Sequence, residues 1–262
     1  MKYSRIILPI STLCLIFIID YYNKYYMPNT SFEAENIFLY VIKDDSIAFK
    51  DSISKYIKSE KTFYKVAKKL EYLENKKTGR FKIAKDIGNN DIVNALRFNN
   101  TPVNVTFNNQ ERLEDLAGRV SNQIYEDSIS LLTAFTDQEF LKNNDLNDQN
   151  VLSIFIPNSY NIYWDTSSED FRDRMLTEYN KFWNKERSKK AEELGLTKLE
   201  VISLASIVQL ESRKVDERPR VAGLYVNRLR DNMRLQADPT VIYTIKEYYN
   251  NFDTIIRRVL YR

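Results

Sequence analysis

The sequence contains no histidine. That excludes Ser-His-Asp triads, Cys-His pairs and imidazole-bearing metal sites. Cysteine occurs once, at Cys14, which excludes internal disulfides, thiolate zinc sites and Cys-x-x-Cys redox chemistry. Glycine occurs five times, as Gly79, Gly88, Gly118, Gly195 and Gly223. No two are close, so neither a Walker loop nor a Gly-x-Gly-x-x-Gly turn can be built from them. An excess of one charge is missing too. Lys and Arg number 39 against 36 Asp and Glu, which reads as an ordinary solvated surface and gives no reason to expect a nucleic-acid partner. What remains for catalysis is carboxylates, Lys, Arg, Tyr, Ser and Thr. With 262 residues, 43% hydrophobic and 29% charged, the chain can bury the core of one large domain or two small ones.

Long hydrophobic runs are scarce, with one exception. Lys2 and Arg5 precede an uncharged stretch from Ile6 to Ile19, closed by Asp20. Taken alone it is shorter than the ~20 residues of a standard span, but Tyr3, Ser4 and the flanking tyrosines bring it to about that length. Tyr21, Tyr22, Tyr25 and Tyr26 have the apolar ring and wet hydroxyl of a headgroup anchor. The two N-terminal cations orient the start of the chain to the cytoplasm and everything after Asp20 outside. A cleaved signal peptide would need small residues at −3 and −1, and Asp20-Tyr21-Tyr22-Asn23-Lys24 supplies none. Cys14 follows the bulky Leu13 inside the apolar run, which does not suit a lipoprotein cysteine. The expectation is an uncleaved anchor over residues 1–22 and a linker over 23–34, the latter marked by Pro28 and Asn29-Thr30-Ser31.

Residues 35–145 read as an α/β module. Ile37–Ile42 and Arg80–Ile83 are strand candidates. Asp45 caps a helix, and a second helix is expected from about Thr62 to Glu74. Asn90 starts a helix carrying Ile92, Val93, Leu96 and Phe98, Val103–Phe107 alternates as a strand, and Gln110–Tyr125 is amphipathic. The order is roughly βααβαβα. Residues 128–142 look helical and Asn143–Asn150 is a polar loop. From 151 the chain becomes mostly helical. Pro157-Asn158-Ser159 is expected to turn, and Ser167 or Ser168 to cap one long helix that ends near Gly195. The fold class expected is α+β, as an anchor, a small α/β module and a mostly helical domain over 151–262.

Chemistry concentrates after residue 196. Thr197-Lys198-Leu199-Glu200 is a capping box. It opens Leu199–Leu210, apolar almost all round and so expected to be buried on most faces. Glu211 ends that stretch and shares a helical face with Leu204, Ile207 and Val208. A carboxyl against an apolar face should have a raised pKa, and a carboxylic acid held protonated can serve glycosidic cleavage. From spacing alone the plainer reading of Glu211 is a helix-end carboxylate paired with Arg213, Arg218 or Arg228. Asp216 is expected to cap the next helix, with Pro219 in its first turn, Val221, Leu224, Tyr225 and Leu229 inward and Asn227 and Arg228 near that edge. Asp238 is expected to cap another helix with Pro239 as its first residue, so Gln236 sits on the turn before it, where a polar side chain can face a cleft.

Several of these segments together resemble a known family. They are Leu204–Ser212 (LASIVQLES), Glu217-Arg218-Pro219, Val226-Asn227-Arg228-Leu229, Met233-Arg234-Leu235-Gln236 and Asp238–Tyr243 (DPTVIY). At these gaps the pattern is similar to the endolytic murein transglycosylase family (MltG, YceG-like). Ile156-Pro157-Asn158-Ser159-Tyr160 resembles the family's Phe-Pro-Asp-Thr-Tyr segment. The resemblance covers most of the chain and is close over 151–243. It implies a LysM-like unit in the module and a lysozyme-like catalytic domain, in a bacterial inner-membrane enzyme whose catalytic domain lies outside the cytoplasm, in the periplasm. Its substrate would be peptidoglycan glycan strands, with the synthases that make them as further partners, and it would limit the length of nascent strands. The family cuts the MurNAc-GlcNAc β-1,4 bond without water and leaves a 1,6-anhydro end, needing no cofactor and no metal. One glutamate serves as acid and then base, which maps onto Glu211. The substrate's acetamido group would stabilise the oxocarbenium-like centre, so no second carboxylate is required. Ser212, Asn227 and Gln236 map to substrate binding. Where the family often has Glu-Lys-Glu-Thr, this chain has Gln209-Leu210-Glu211-Ser212, so the second acid is the one kept. The family's pattern runs on past the match to Tyr243, through Tyr-Asn-Thr-Tyr and Gly-Leu-Pro-Pro-Gly, whereas this sequence stops at Arg262. A C-terminally incomplete catalytic domain is therefore expected.

Two other readings remain open on the sequence. A lysozyme-like hydrolase would need a placed second carboxylate such as Asp216 or Asp238 and would leave reducing ends. A non-enzymatic glycan-binding or divisome scaffold protein would give no product.

Overall fold

The computed structural model describes residues 4–254 and 256, and for residues 4–12 the backbone alone. The chain folds as two compact units.

The first unit takes the described residues up to Phe135 together with Pro157–Phe171. It begins with α1 (Ser4–Tyr25), which carries the uncharged run. Among the described residues no helix is long and apolar enough to cross a membrane. The first part of the expected span falls on side chains outside the described set. The end of α1 is docked. Asn89 Nδ2 donates to the Lys24 carbonyl at 2.8 Å, and Asn29 Nδ2 donates to Asn89 Oδ1 at 2.7 Å. Gly88 permits this approach, because a Cβ there would lie 2.6 Å from the Tyr25 carbonyl oxygen and 2.7 Å from the Tyr26 backbone. Asn29 and Thr30, in the stretch whose composition suggests a linker, are buried, and Pro28 and Thr30 bridge to Gly88 and Ile57.

Beyond this seat the order is β1 (Asn36–Val41), α2 (Ser46–Ser54), α3 (Glu60–Lys69), β2 (Gly79–Ala84) and α4 (Asn89–Phe98). β1 and β2 pair antiparallel, from Asn36 opposite Ala84 to Val41 opposite Gly79. Asp45 caps α2, accepting from the Ala48 N–H at 2.8 Å. α3 stops sooner than its pattern predicts. Leu70 caps it, Glu71 turns left-handed (φ 57°), and Tyr72 drops into the core. Leu39, Val41, Phe49, Ile53, Phe63, Tyr72, Phe81, Ile83, Ile92 and Leu96 form one buried cluster. Phe98, the last residue of α4, is 75% exposed.

The same unit contains a second antiparallel pair. β3 (Val103–Phe107) lies against β4 (Asn158–Ile162), with Val103 opposite Ile162 and Phe107 opposite Asn158. Thus Asn158-Ser159, expected to turn, begins a strand. Its alternation buries Tyr160 and Ile162, and Tyr160 stacks on Phe107 at 5.5 Å. α5 (Leu113–Ser121) and α6 (Ser128–Phe135) pack on one another.

The second unit takes Thr136–Ile156 and the described residues from Arg172 on. It holds α7 (Gln138–Asn143), a 3-10 turn (Val151–Ile154) and most of α8 (Ser168–Phe182). The single long helix expected to reach Gly195 is two. Asn184 is extended (ψ 171°) and caps α9 (Lys185–Glu193), accepting from the Arg187 N–H at 2.9 Å. Then come α10 (Lys198–Glu211), α11 (Arg218–Arg230) and α12 (Asp238–Tyr248). Their core is small: Leu204, Val208, Tyr225 and Ala237. The sequence predicts burial of α10 on most faces, yet only Leu204 and Val208 are buried and Leu210 is 61% exposed. A helix packed along one side buries one i, i+4 stripe and leaves the rest to solvent. Leu224 and Leu229, expected inward on α11, are likewise exposed.

Candidate active site

α10 starts at the capping box read from the sequence. The Glu200 N–H donates to Thr197 Oγ1 at 3.2 Å, and the Thr197 N–H donates to Glu200 Oε2 at 2.7 Å. It stops at Glu211 because Ser212 is extended (φ −126°, ψ 123°). Glu211 is therefore the last residue of a helix, where orphan carbonyls carry partial negative charge. A carboxylate there is disfavoured, by ~0.3–1 kcal/mol in an exposed setting, so helix stability does not account for its place.

The turn that follows is tied by Ser212, which is buried. Its hydroxyl lies 3.0 Å from Glu217 Oε2 and 3.3 Å from the Lys214 carbonyl, and accepts from the Lys214 N–H at 3.2 Å. Arg218 Nε donates to the Ser212 carbonyl at 3.2 Å. These bonds make Glu217, not Asp216, the residue that precedes α11. They also leave the Ser212 hydroxyl engaged within the protein.

α11 returns Tyr225 to the end of α10. Its side chain is 3% exposed and its hydroxyl feels the Glu211 carboxyl nearby. Burial, followed by the charge and hydrogen bond of Glu211, pushes this hydroxyl up to about 12. Asp238 adds to the shift and Arg228 opposes it. Tyr225 therefore keeps its proton up to strongly alkaline pH, beside the Glu211 carboxyl. Glu211 itself is exposed, so the burial against an apolar face expected of it is absent.

Asp238 is the first residue of α12 rather than its cap, which is Ala237. A carboxylate there meets the positive end of the helix. Arg228 Nη1 donates to the Leu235 carbonyl and so fixes the turn that leads into α12. On that turn Asn232 (φ 55°) and Gln236 (φ 52°) are left-handed. A non-glycine residue held so costs about 1 kcal/mol or more. The strained Gln236 lies beside buried Ala237, two residues before Asp238.

The fold thus gathers Glu211, Tyr225, Asp238 and Arg228, with Ser212 adjoining and Gln236 on the neighbouring turn. Asn227 is not brought to the same point. It lies on α11 two residues after Tyr225, which at 3.6 residues per turn is roughly 200° around the helix. The residue that sequence reasoning missed is Tyr225, assigned to the core. The available signal was chemical: a Tyr among core positions has a hydroxyl that needs a partner.

These features define a mixed α+β protein whose C-terminal helices present a glutamate beside a buried tyrosine. The chain belongs to the YceG-like family, whose profile matches residues 45–259. Over 99 residues it is 31% identical to the endolytic murein transglycosylase of Bacillus subtilis (strain 168), covering 37% of this chain and 25% of that protein. Over 91 residues it is 32% identical to the endolytic murein transglycosylase of Streptococcus pneumoniae serotype 2 (strain D39 / NCTC 7466), covering 33% of this chain and 16% of that protein. The matched stretches therefore span a quarter or less of these relatives' length. A crystal structure of a YceG-like protein from Listeria monocytogenes shares the fold, with a TM-score of 0.52 at 21% identity over 87% of this chain and 79% of that one.

Proposed function

We propose that this protein is a lytic transglycosylase that cuts the MurNAc-GlcNAc β-1,4 bond within peptidoglycan glycan strands, with Glu211 as its acid and base. The observation that carries the reading is a carboxyl at the end of α10, where helix stability does not favour it, with the hydroxyl of the buried Tyr225 close enough to feel its charge. Membership of the YceG-like family and the names of the two relatives supply the substrate class. In the reaction, Glu211 gives its proton to the bridging oxygen as the bond from that oxygen to muramic C1 breaks. The C6 hydroxyl then closes on C1 and its proton returns to Glu211. No water is consumed, and the product carries a 1,6-anhydro end. Gln236, on its strained turn, is assigned to the glycan, and Ser212 to holding the turn after Glu211; Asn227, round α11 from Tyr225, takes no part at Glu211.

The anchor belongs to the same proposal. Leu13 and Leu15–Ile19 are exposed on α1, and Tyr21, Tyr22, Tyr25 and Tyr26 cluster after them. Together with the uncharged run from Ile6, this supports a single pass through the inner membrane with the rest outside the cytoplasm, where peptidoglycan synthases would be partners in setting strand length. The β1-α2-α3-β2 order supports the LysM-like reading of the module.

A lysozyme-like hydrolase is the second reading, favoured by one observation: the charge of Asp238 acts on the same Tyr225 hydroxyl as that of Glu211. Mass spectrometry of soluble products from purified peptidoglycan tests both. Anhydromuramyl ends that vanish in Glu211→Gln support the first, and reducing ends support the second. No product from the wild type would sink both and leave a scaffold role.

A further inference from the structure

We infer that the outer face of α3 is a docking surface for anionic phospholipid headgroups, set beside the point where the chain leaves α1. The inference rests on the proposal that α1 is a membrane anchor. Positive charge is concentrated here. From Lys50 to Lys69 there are seven lysines against two carboxylates, Asp51 and Glu60. The whole chain has only three more cations than anions, so the remainder is net negative. All seven lysines are exposed, and none makes an ion pair among the described residues. α3 buries Phe63, Val66 and Ala67. It turns Lys61, Lys65 and Lys68 outward in one i, i+4, i+7 stripe, with Lys69 at its edge. Like charges at i, i+4 destabilise a helix, so helix stability accounts for neither Lys61 beside Lys65 nor Lys65 beside Lys69. An anionic surface would offset that repulsion.

Position is the second observation. α3 packs against α1. Asn29, four residues past the end of α1, holds the start of α3. Its carbonyl accepts from the Lys58 N–H at 2.7 Å. Its Oδ1 accepts from the Ser59 N–H at 2.9 Å, and its Nδ2 donates to the Ser59 carbonyl at 3.1 Å. With Tyr21, Tyr22, Tyr25 and Tyr26 at headgroup level, Lys58 lies at the lipid boundary. Lys61 and Lys65 follow within about 9 Å along α3, one Debye length at physiological salt. Carboxylates stand here too: Glu60 follows Ser59, and Asp91 acts on the Tyr26 hydroxyl. The lysine stripe, rather than the whole seat of α1, is therefore the attractive element. A compact ammonium on a flexible stem needs no fixed geometry, which suits a fluid array of phosphodiesters better than one shaped ligand.

The test places the full chain in lipid nanodiscs and follows acetylation of single lysines by mass spectrometry. The discs hold phosphatidylcholine alone, or phosphatidylglycerol as about one lipid in three. Anionic lipid should slow Lys58 and Lys61 about three- to fivefold relative to neutral lipid, Lys65 less, and Lys43 and Lys77 not at all. The last two, both exposed, adjoin the far ends of β1 and β2. The Asn29 N–H is held by the Ile87 carbonyl just past the near end of β2, which puts a strand's length, ~17–20 Å, between them and the seat. Higher salt should abolish the difference between the two lipids. Equal rates in both lipids, or a uniform slowing that includes Lys43 and Lys77, overturns the inference and leaves the anchor reading standing. Release of the chain from membranes by an alkaline wash sinks the anchor reading, and this inference with it.

Discussion

Replacing Tyr225 with Phe removes one oxygen and keeps the ring that packs among Leu204, Val208 and Ala237. The lost interaction is that between the hydroxyl and Glu211, which at most is a hydrogen bond. A net hydrogen bond contributes about 0.5–1.5 kcal/mol, and ~1.5–3 kcal/mol when one partner is charged. Glu211 is exposed, so water takes the place of the missing donor and the lower range applies. The expected fall in turnover is about 2- to 13-fold, with little change in melting temperature because no apolar contact is lost. Glu211→Gln should fall much further, by ~10²–10⁴-fold, since it removes the acid itself. Rates of anhydromuramyl release, read by mass spectrometry beside melting curves, separate the two. Full activity in Tyr225→Phe would show that the contact plays no part in orienting the acid. A loss as deep as that of Glu211→Gln, at an unchanged melting temperature, would make Tyr225 a proton carrier and refute its assignment as a positioning residue.

Alkali probes the same hydroxyl. Its folded value of about 12 lies above the ordinary ~10 of tyrosine, so ionisation is resisted more strongly in the folded chain than in the unfolded one. The neutral hydroxyl's stability is complete below the unfolded value and is lost as pH rises through the folded one. The wild type should lose stability between those values more steeply than Tyr225→Phe, and superimposable alkaline unfolding curves would contradict this. Thr197→Ala opens the capping box of α10 and should lower stability by ~1 kcal/mol, read as a shift in denaturant midpoint without a change in slope. Gly88→Ala drives a methyl against the backbone of Tyr25 and Tyr26. An overpacking cost of ~1–3 kcal/mol should loosen the end of α1, visible as faster amide exchange over residues 24–30. Unchanged exchange there would mean that the close approach is easily relieved.

Local signals in the sequence suffice where an element is decided by its own residues. Asp45, Thr197 with Glu200 and the alternation of Val103–Phe107 each specify a cap or a strand by short-range chemistry, and each is found. β4 is not legible because its strand character comes from pairing with β3 about fifty residues earlier, while Pro157-Asn158 locally favours a turn. The extent of α8 is hidden because Asn184, an ordinary helix residue by pattern, acts as a cap. The apolar circumference of α10 predicts burial but not how many neighbours arrive to provide it. At the site, sequence spacing singles out Glu211 yet gives it the wrong surroundings. Its partner is hidden in the core face of the following helix, since periodicity ranks Tyr225 by its ring and is blind to its hydroxyl.

The seating of α1 has a mechanical consequence. Asn29, Gly88 and Asn89 leave no slack between the last turn of that helix and the start of α4. A flexible tether would let the module behind it sample every orientation at a radius set by tether length. Here the joint is stiff, so any tilt imposed on α1 becomes a tilt of β1, β2 and their helices. Every face of the module would then keep a constant height and bearing relative to α1, so whatever it meets would be selected by where it lies as well as by what it is.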